Sequence, residues 1–193
     1  MALNKSIILV GIKHSGKTTQ GRALAAKYNC EFYDTDDVIQ ELMGKSPREI
    51  YNTEGKDSFL GAEKLACQHL KSILESKPVI VATGGGICEN EEAVRHLATN
   101  SIFVYLNVDE KTAADRIVRE AKTDGNNNIT DQSSLPSYIA KKNPATIDDV
   151  RAYFHNFYEE RTKKYSMLAD ITINPGSLGP SKVTAEIVNK VQK

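Results

Sequence analysis

Short runs of consecutive apolar residues alternate along the chain with longer stretches in which apolar positions recur every three or four residues. Ser6 to Val10 is the first such run. Gly11 stops it, and Lys17 to Tyr28 follows with helical spacing, which predicts a strand, a glycine-rich turn and a helix. Glu31-Phe32-Tyr33 predicts a second strand running into Asp34-Thr35-Asp36-Asp37, after which Val38, Ile39, Leu42 and Met43 mark a helix ending at Gly44. Ser46-Pro47-Arg48-Glu49 carries an N-cap, a proline in the first turn and an acid three residues after the cap, so another helix starts there. A longer helix is expected over Asp57 to Glu75. Pro78 to Ala82 predicts a third strand entering Thr83-Gly84-Gly85-Gly86, Ser101 to Leu106 a fourth, and the weaker pattern of Asp170 to Ile173 a fifth.

Strands separated by helical stretches imply parallel crossovers, hence an α/β fold whose sheet is covered by helices on both faces. Such sheets bind ligands at the carboxyl ends of their strands. The polar stretch Lys122 to Ser134 has no periodicity and is long for a connection, so it is expected to be a lid or a disordered loop. The length of 193 residues, with no composition break or repeat, suits one domain. Lys plus Arg equals Asp plus Glu at 25 each, so no basic field would attract nucleic acid. Cys30, Cys67 and Cys88 are scattered without metal-ligand spacing, as expected of reduced thiols in a cytoplasmic protein. No run approaches the ~20 apolar residues that span a bilayer, so neither membrane anchor nor export is expected.

Gly11-Ile12-Lys13-His14-Ser15-Gly16-Lys17-Thr18 fits the phosphate-binding pattern of two glycines flanking four residues, followed by Lys and Ser or Thr, between a strand and a helix. The glycines allow successive N–H groups to face phosphate oxygens, and the helix N-terminus adds positive partial charge. Lys17 is then expected on the β and γ phosphates of ATP, Thr18 on Mg²⁺, and His14 on phosphate through its backbone. Asp34 and Asp36 are either helix caps or, beside such a loop, a magnesium-facing carboxylate and a base for an attacking hydroxyl. Gly84-Gly85-Gly86 is either a permissive turn or a place where backbone closely approaches an acceptor. His69, His96 and His155 share no spacing that points to chemistry.

The order and spacing of several motifs together resemble the shikimate kinase family over nearly the whole chain. They are Gly11 to Thr19 with Gly21-Arg22, Asp34-Thr35-Asp36, Gly44-Lys45-Ser46-Pro47 leading to Ile50-Tyr51, Gly55 with Phe59 and Glu63, Gly84-Gly85-Gly86, and Arg161 with Tyr165, Ala169 and Asp170. The resemblance implies a three-layer P-loop kinase fold with a five-stranded parallel sheet, comprising residues 1–193 as one kinase domain, with the P-loop at 11–18, acceptor-binding helices at about 35–75 and a mobile lid at about 122–145. It implies transfer of the ATP γ-phosphate to the 3-hydroxyl of shikimate with Mg²⁺ as the metal; a monomer is expected. Position by position, it places Gly11, His14, Ser15, Gly16, Lys17, Thr18 and Thr19 on the nucleotide, with Arg116 or Arg119 near the adenine. Thr18 and Asp34 fall at the metal, Lys17 and Asp36 at the chemistry. Asp36, Gly84, Gly85, Gly86 and Arg161 fall at the acceptor, with Arg161 on its carboxylate and Glu63 supporting that pocket.

Two positions depart from the family pattern. Phe59-Leu60 stands where the family has Phe-Arg, and Leu135-Pro136-Ser137-Tyr138 where its lid has Arg-Pro-Leu-Leu, with no arginine between Arg119 and Arg151. Lys141, Lys142 and Arg151 are the expected substitutes for the lid cation. Other readings are a kinase for a different small hydroxylated acceptor and a nucleotide-binding regulatory relative with little catalysis.

Overall fold

A computed structural model describes residues 2–192. In chain order the main elements are β1 (Ser6–Val10), α1 (Lys17–Tyr28), β2 (Phe32–Asp34), α2 (Thr35–Met43), α3 (Pro47–Thr53), α4 (Lys56–Ser76), β3 (Ile80–Ala82) and α5 (Glu91–Leu97). They continue with β4 (Ser101–Leu106), α6 (Glu110–Glu120), β5 (Lys122–Thr123), β6 (Ile129–Asp131), α7 (Ser137–Ala140), α8 (Ile147–Leu168), β7 (Ile171–Ile173) and α9 (Pro180–Val191).

Among the described residues one sheet has five strands in the order β2-β3-β1-β4-β7, all parallel, with Ile8 opposite Val81 on one side and Phe103 on the other. Burial on both faces explains why β1 reads as an unbroken apolar run. Ile7 and Leu9 pack with Leu24 of α1 and Val183 and Ile187 of α9, whereas Ile8 and Val10 pack with Ala66 and Leu70 of α4, Ile117 of α6 and Phe154 of α8. Ile7, Ile8, Leu9 and Val10 are each 0 % exposed, and full burial of one such side chain contributes about 1.5–3 kcal/mol. The sheet is therefore a rigid base for the loops at its carboxyl edge.

The helices begin where the sequence supplies caps. Asp34 caps α2, Ser46 and Glu49 form a capping box at α3, and Thr146 and Asp149 form another at α8. α2 ends at Gly44, whose φ of 68° is the left-handed conformation that ends helices.

The stretch Lys122 to Ser134, expected to be a lid or a disordered loop, contains regular structure. β5 and β6 form a small antiparallel hairpin. Its turn is organised by Asp124, whose carboxylate accepts from the N–H groups of Asn126 at 2.8 Å and Asn128 at 2.9 Å. Cys30, Cys67 and Cys88 are free thiols. No helix among the described residues is long and apolar enough to cross a membrane.

Candidate active site

The loop between β1 and α1 turns through Gly11, with φ 144°, His14, with φ 63°, and Gly16, with φ 94°. A Cβ at Gly11 would lie 2.9 Å from both the Leu106 carbonyl oxygen and Ser15 Oγ, so only glycine fits. Gly16 precedes α1 without a capping side chain, which leaves the first-turn N–H groups available to an anion. Lys17 Nζ curls back to donate to the Gly11 and Ile12 carbonyls, each at 2.8 Å. Burial lowers its pKa to about 8, with Asp36 and Asp34 opposing the shift.

This loop forms one wall of a cavity of about 700 Å³. His14, Ser15, Gly16, Lys17, Thr18 and Thr19 line it, whereas Gly11 acts through its backbone turn. Arg116 and Arg119 of α6 also line it, and Arg116 donates to the His14 carbonyl, which ties α6 to the loop. His14 Nε2 lies 3.2 Å from Glu120 Oε2, while burial lowers the imidazole pKa against that carboxylate. Pro175, Leu178 and Pro180 supply an apolar wall suited to a flat aromatic base, a contribution not anticipated from the sequence.

The Thr18 hydroxyl donates to Asp34 Oδ2 at 2.9 Å, and Asp34 Oδ1 accepts from the Asp36 N–H at 3.1 Å. Asp34 is thus at once a helix cap and an acid at the phosphate loop. Among the described residues no group of three or more His, Cys, Asp or Glu could itself hold a metal. Thr18 and Asp34 instead offer two hard oxygen ligands, the incomplete set that suits Mg²⁺, which takes its other ligands from phosphate and water. The residues present therefore fit magnesium on a nucleotide.

A second cavity of about 440 Å³ adjoins the first, and Lys13, Asp36 and Gly85 line both. Asp36 retains surface open to water at the cleft mouth, yet protein surrounds it closely. Partial desolvation and then the neighbouring Asp34 carboxylate push its pKa up to about 6, with Lys17 and Lys13 opposing. A Cβ at Gly84 would fall 3.0 Å from Asp36 Oδ1, and one at Gly85 would fall 2.8 Å from the Lys13 backbone nitrogen. Close packing explains both glycines. The Gly84 N–H donates to Thr35 Oγ1 at 2.8 Å, so it is not a free donor as the close-approach reading of the triplet expects.

Gly86 and Arg161 line the second cavity. Arg161 donates to the Gly85 carbonyl and lies 4.1 Å from the Phe157 ring centroid. Glu63 stands behind this wall at 1 % exposure, where Asn90 Nδ2 donates to it at 3.0 Å. Burial pushes its pKa up to about 7. Leu60 lies on the cavity wall with Phe59, and Arg48 and Lys56 add cationic groups that sequence reasoning did not single out.

Pro136, Ser137 and Tyr138 close the far side of this cavity, with Tyr138 stacked on Phe157 at 3.7 Å. The expected substitutes for a lid cation are placed elsewhere. Lys141 Nζ lies 3.8 Å over the Tyr51 ring, Arg151 pairs with Asp115 at 2.6 Å, and Lys142 lines neither cavity.

Comparison with known proteins agrees with this geometry. The model of the family described as shikimate kinase matches residues 13–192. A shikimate kinase of Sulfurihydrogenibium sp. is 30 % identical over 189 residues, covering 98 % of this chain and 99 % of that relative. The crystal structure of shikimate kinase from Aquifex aeolicus is 27 % identical with a TM-score of 0.69, covering 97 % of this chain and 96 % of its own. A shikimate kinase from Acinetobacter baumannii in complex with shikimate has a TM-score of 0.78 at 23 % identity, covering 97 % and 93 %, a likeness of fold.

Proposed function

The chain belongs to the shikimate kinase family, and from that premise we propose that it transfers the γ-phosphoryl group of ATP to the 3-hydroxyl of shikimate. The observation that carries this reading is the shared wall of the two cavities, where Asp36 faces both the phosphate loop and the acceptor space. A hydroxyl and a nucleotide phosphate can meet there.

The P-loop N–H groups and Lys17 hold the nucleotide phosphates, Arg116 and Arg119 flank the base region, and Thr18 with Asp34 would hold Mg²⁺. Bound magnesium supplies charge neutralisation on the phosphate oxygens. Arg161 orients the acceptor by pairing with the acceptor's carboxylate, while Glu63 supports that pocket. Asp36, with a pKa near 6, is largely ionised at neutral pH and accepts the hydroxyl proton as that oxygen bonds to the γ phosphorus and the bond to the β-phosphate oxygen breaks. ADP and shikimate 3-phosphate leave, and Asp36 returns its proton to water. The segment at about 122–145 covers the acceptor during turnover. The three free thiols suit a reducing cytoplasm, where the protein acts as a monomer.

The test is ADP release with Mg-ATP in the presence of shikimate, of a panel of sugar acids and nucleoside monophosphates, or of buffer alone. Shikimate-dependent turnover of about 1 to 100 s⁻¹ is expected. Turnover confined to another acceptor would reassign the substrate, and ATP binding without any acceptor-dependent turnover would favour a regulatory role.

A further inference from the structure

Phosphoryl transfer spreads negative charge over the moving group, and the rate depends on cations held where that charge develops. Most cations near the two cavities already hold a backbone carbonyl or border only one cavity. Arg116 is bonded to the His14 carbonyl, Arg161 to the Gly85 carbonyl, and Arg48 to the Leu135 carbonyl. Lys17 and Arg119 line only the nucleotide cavity, and Lys56 only the acceptor cavity.

Lys13 differs from all of these. It lines both cavities, as no other lysine or arginine among the described residues does, together with Asp36 and Gly85. Its side chain is exposed, and it makes no hydrogen bond or ion pair among the described residues. Its backbone lies close against Gly85, where a Cβ would fall 2.8 Å from the Lys13 nitrogen. Asp36 and Lys17 both feel its charge. An ammonium on a flexible stem at the junction of the two cavities can reach a group passing between them.

We propose that Lys13 is a catalytic residue, whose ammonium binds the transferring phosphoryl group at the junction of the nucleotide and acceptor cavities. The inference rests on the phosphotransferase reading above but not on shikimate as the acceptor. It assigns to the phosphate loop itself the cation that the segment 135–138 does not supply.

The test compares wild type, Lys13→Met and Lys13→Arg in turnover with shikimate and in affinity for Mg-ADP with and without aluminium fluoride, which mimics the transferring phosphoryl group. Lys13→Met should lower kcat about 100-fold, the typical loss for one charge-stabilising donor, with the KM for each substrate within about threefold of wild type. Its affinity for Mg-ADP should be unchanged, whereas its affinity for Mg-ADP with aluminium fluoride should fall by at least about tenfold, and Lys13→Arg should recover most of both losses. An unchanged kcat, a parallel loss of Mg-ADP affinity, or a rise in acceptor KM alone would each overturn the proposal. If wild type shows no shikimate-dependent turnover, the acceptor assignment fails, and the aluminium fluoride comparison alone decides the role of Lys13: a selective loss upholds it, equal affinities refute it.

Discussion

The Thr18 hydroxyl donates to the Asp34 carboxylate across 2.9 Å, joining the first turn of α1 to the end of β2. The other Asp34 oxygen caps α2. Asparagine keeps a capping oxygen and removes the charge, so Asp34→Asn separates the two duties. The variant should need about tenfold more Mg²⁺ for half-maximal turnover while melting close to wild type. A magnesium titration at fixed ATP checks this, and an unaltered requirement would remove Asp34 from the metal site.

Asp36 faces both cavities and is held near a pKa of 6. Asp36→Asn keeps size and polarity but cannot accept the hydroxyl proton. Its kcat should fall about 100-fold or more while ATP affinity stays nearly constant. Equal losses in both would assign Asp36 to nucleotide positioning instead.

The elements legible in the sequence are those fixed by local pattern. β1 reads as a strand because Ile7, Ile8, Leu9 and Val10 are buried on alternating faces of a covered sheet, and α3 reads as a helix because Ser46 and Glu49 cap it within four positions. The hairpin of β5 and β6 is not legible in that way. Its strands are too short for periodicity, and it is held by Asp124 and by Ile129 N–H donating to the Ala145 carbonyl at 2.8 Å. Asp34 presents the opposite difficulty, since capping and facing the phosphate loop were competing readings of one residue and its two oxygens serve both. Lys13 could not stand out because the phosphate-loop pattern leaves its position free. Arg151 looked available as a cation because its partner, Asp115, lies 36 residues away in sequence.

Leu60 occupies the wall of the acceptor cavity with Phe59, and its carbonyl accepts from Asn90 Nδ2 at 2.9 Å. That backbone bond is independent of the side chain, so Leu60→Arg should leave the helix in place and add a guanidinium to the cavity. A charge-assisted hydrogen bond of about 1.5–3 kcal/mol corresponds to a KM for shikimate lowered about 10- to 100-fold. An unchanged KM measured by the ADP-release assay would show that the carboxylate is already satisfied by the cations present, or that the acceptor lies elsewhere in the cavity.

Glu63 gives the protein a pH-dependent stability whose sign follows from its environment. Burial raises its pKa from the ordinary 4.5 to about 7, so the folded state holds this proton more tightly than the unfolded chain does. The stability it contributes is fully present below pH 4.5 and is lost as pH rises through about 7. Glu63→Gln keeps an oxygen for Asn90 and cannot ionise. Relative to wild type, that variant should therefore gain stability between pH 4.5 and 7.5, on the order of 2–3 kcal/mol. Urea unfolding of both proteins without ligands at the two pH values measures the difference. A gap that stays constant would mean that the Glu63 carboxylate ionises as readily in the folded protein as in the unfolded chain, with Arg161 and Asn90 compensating its burial in full.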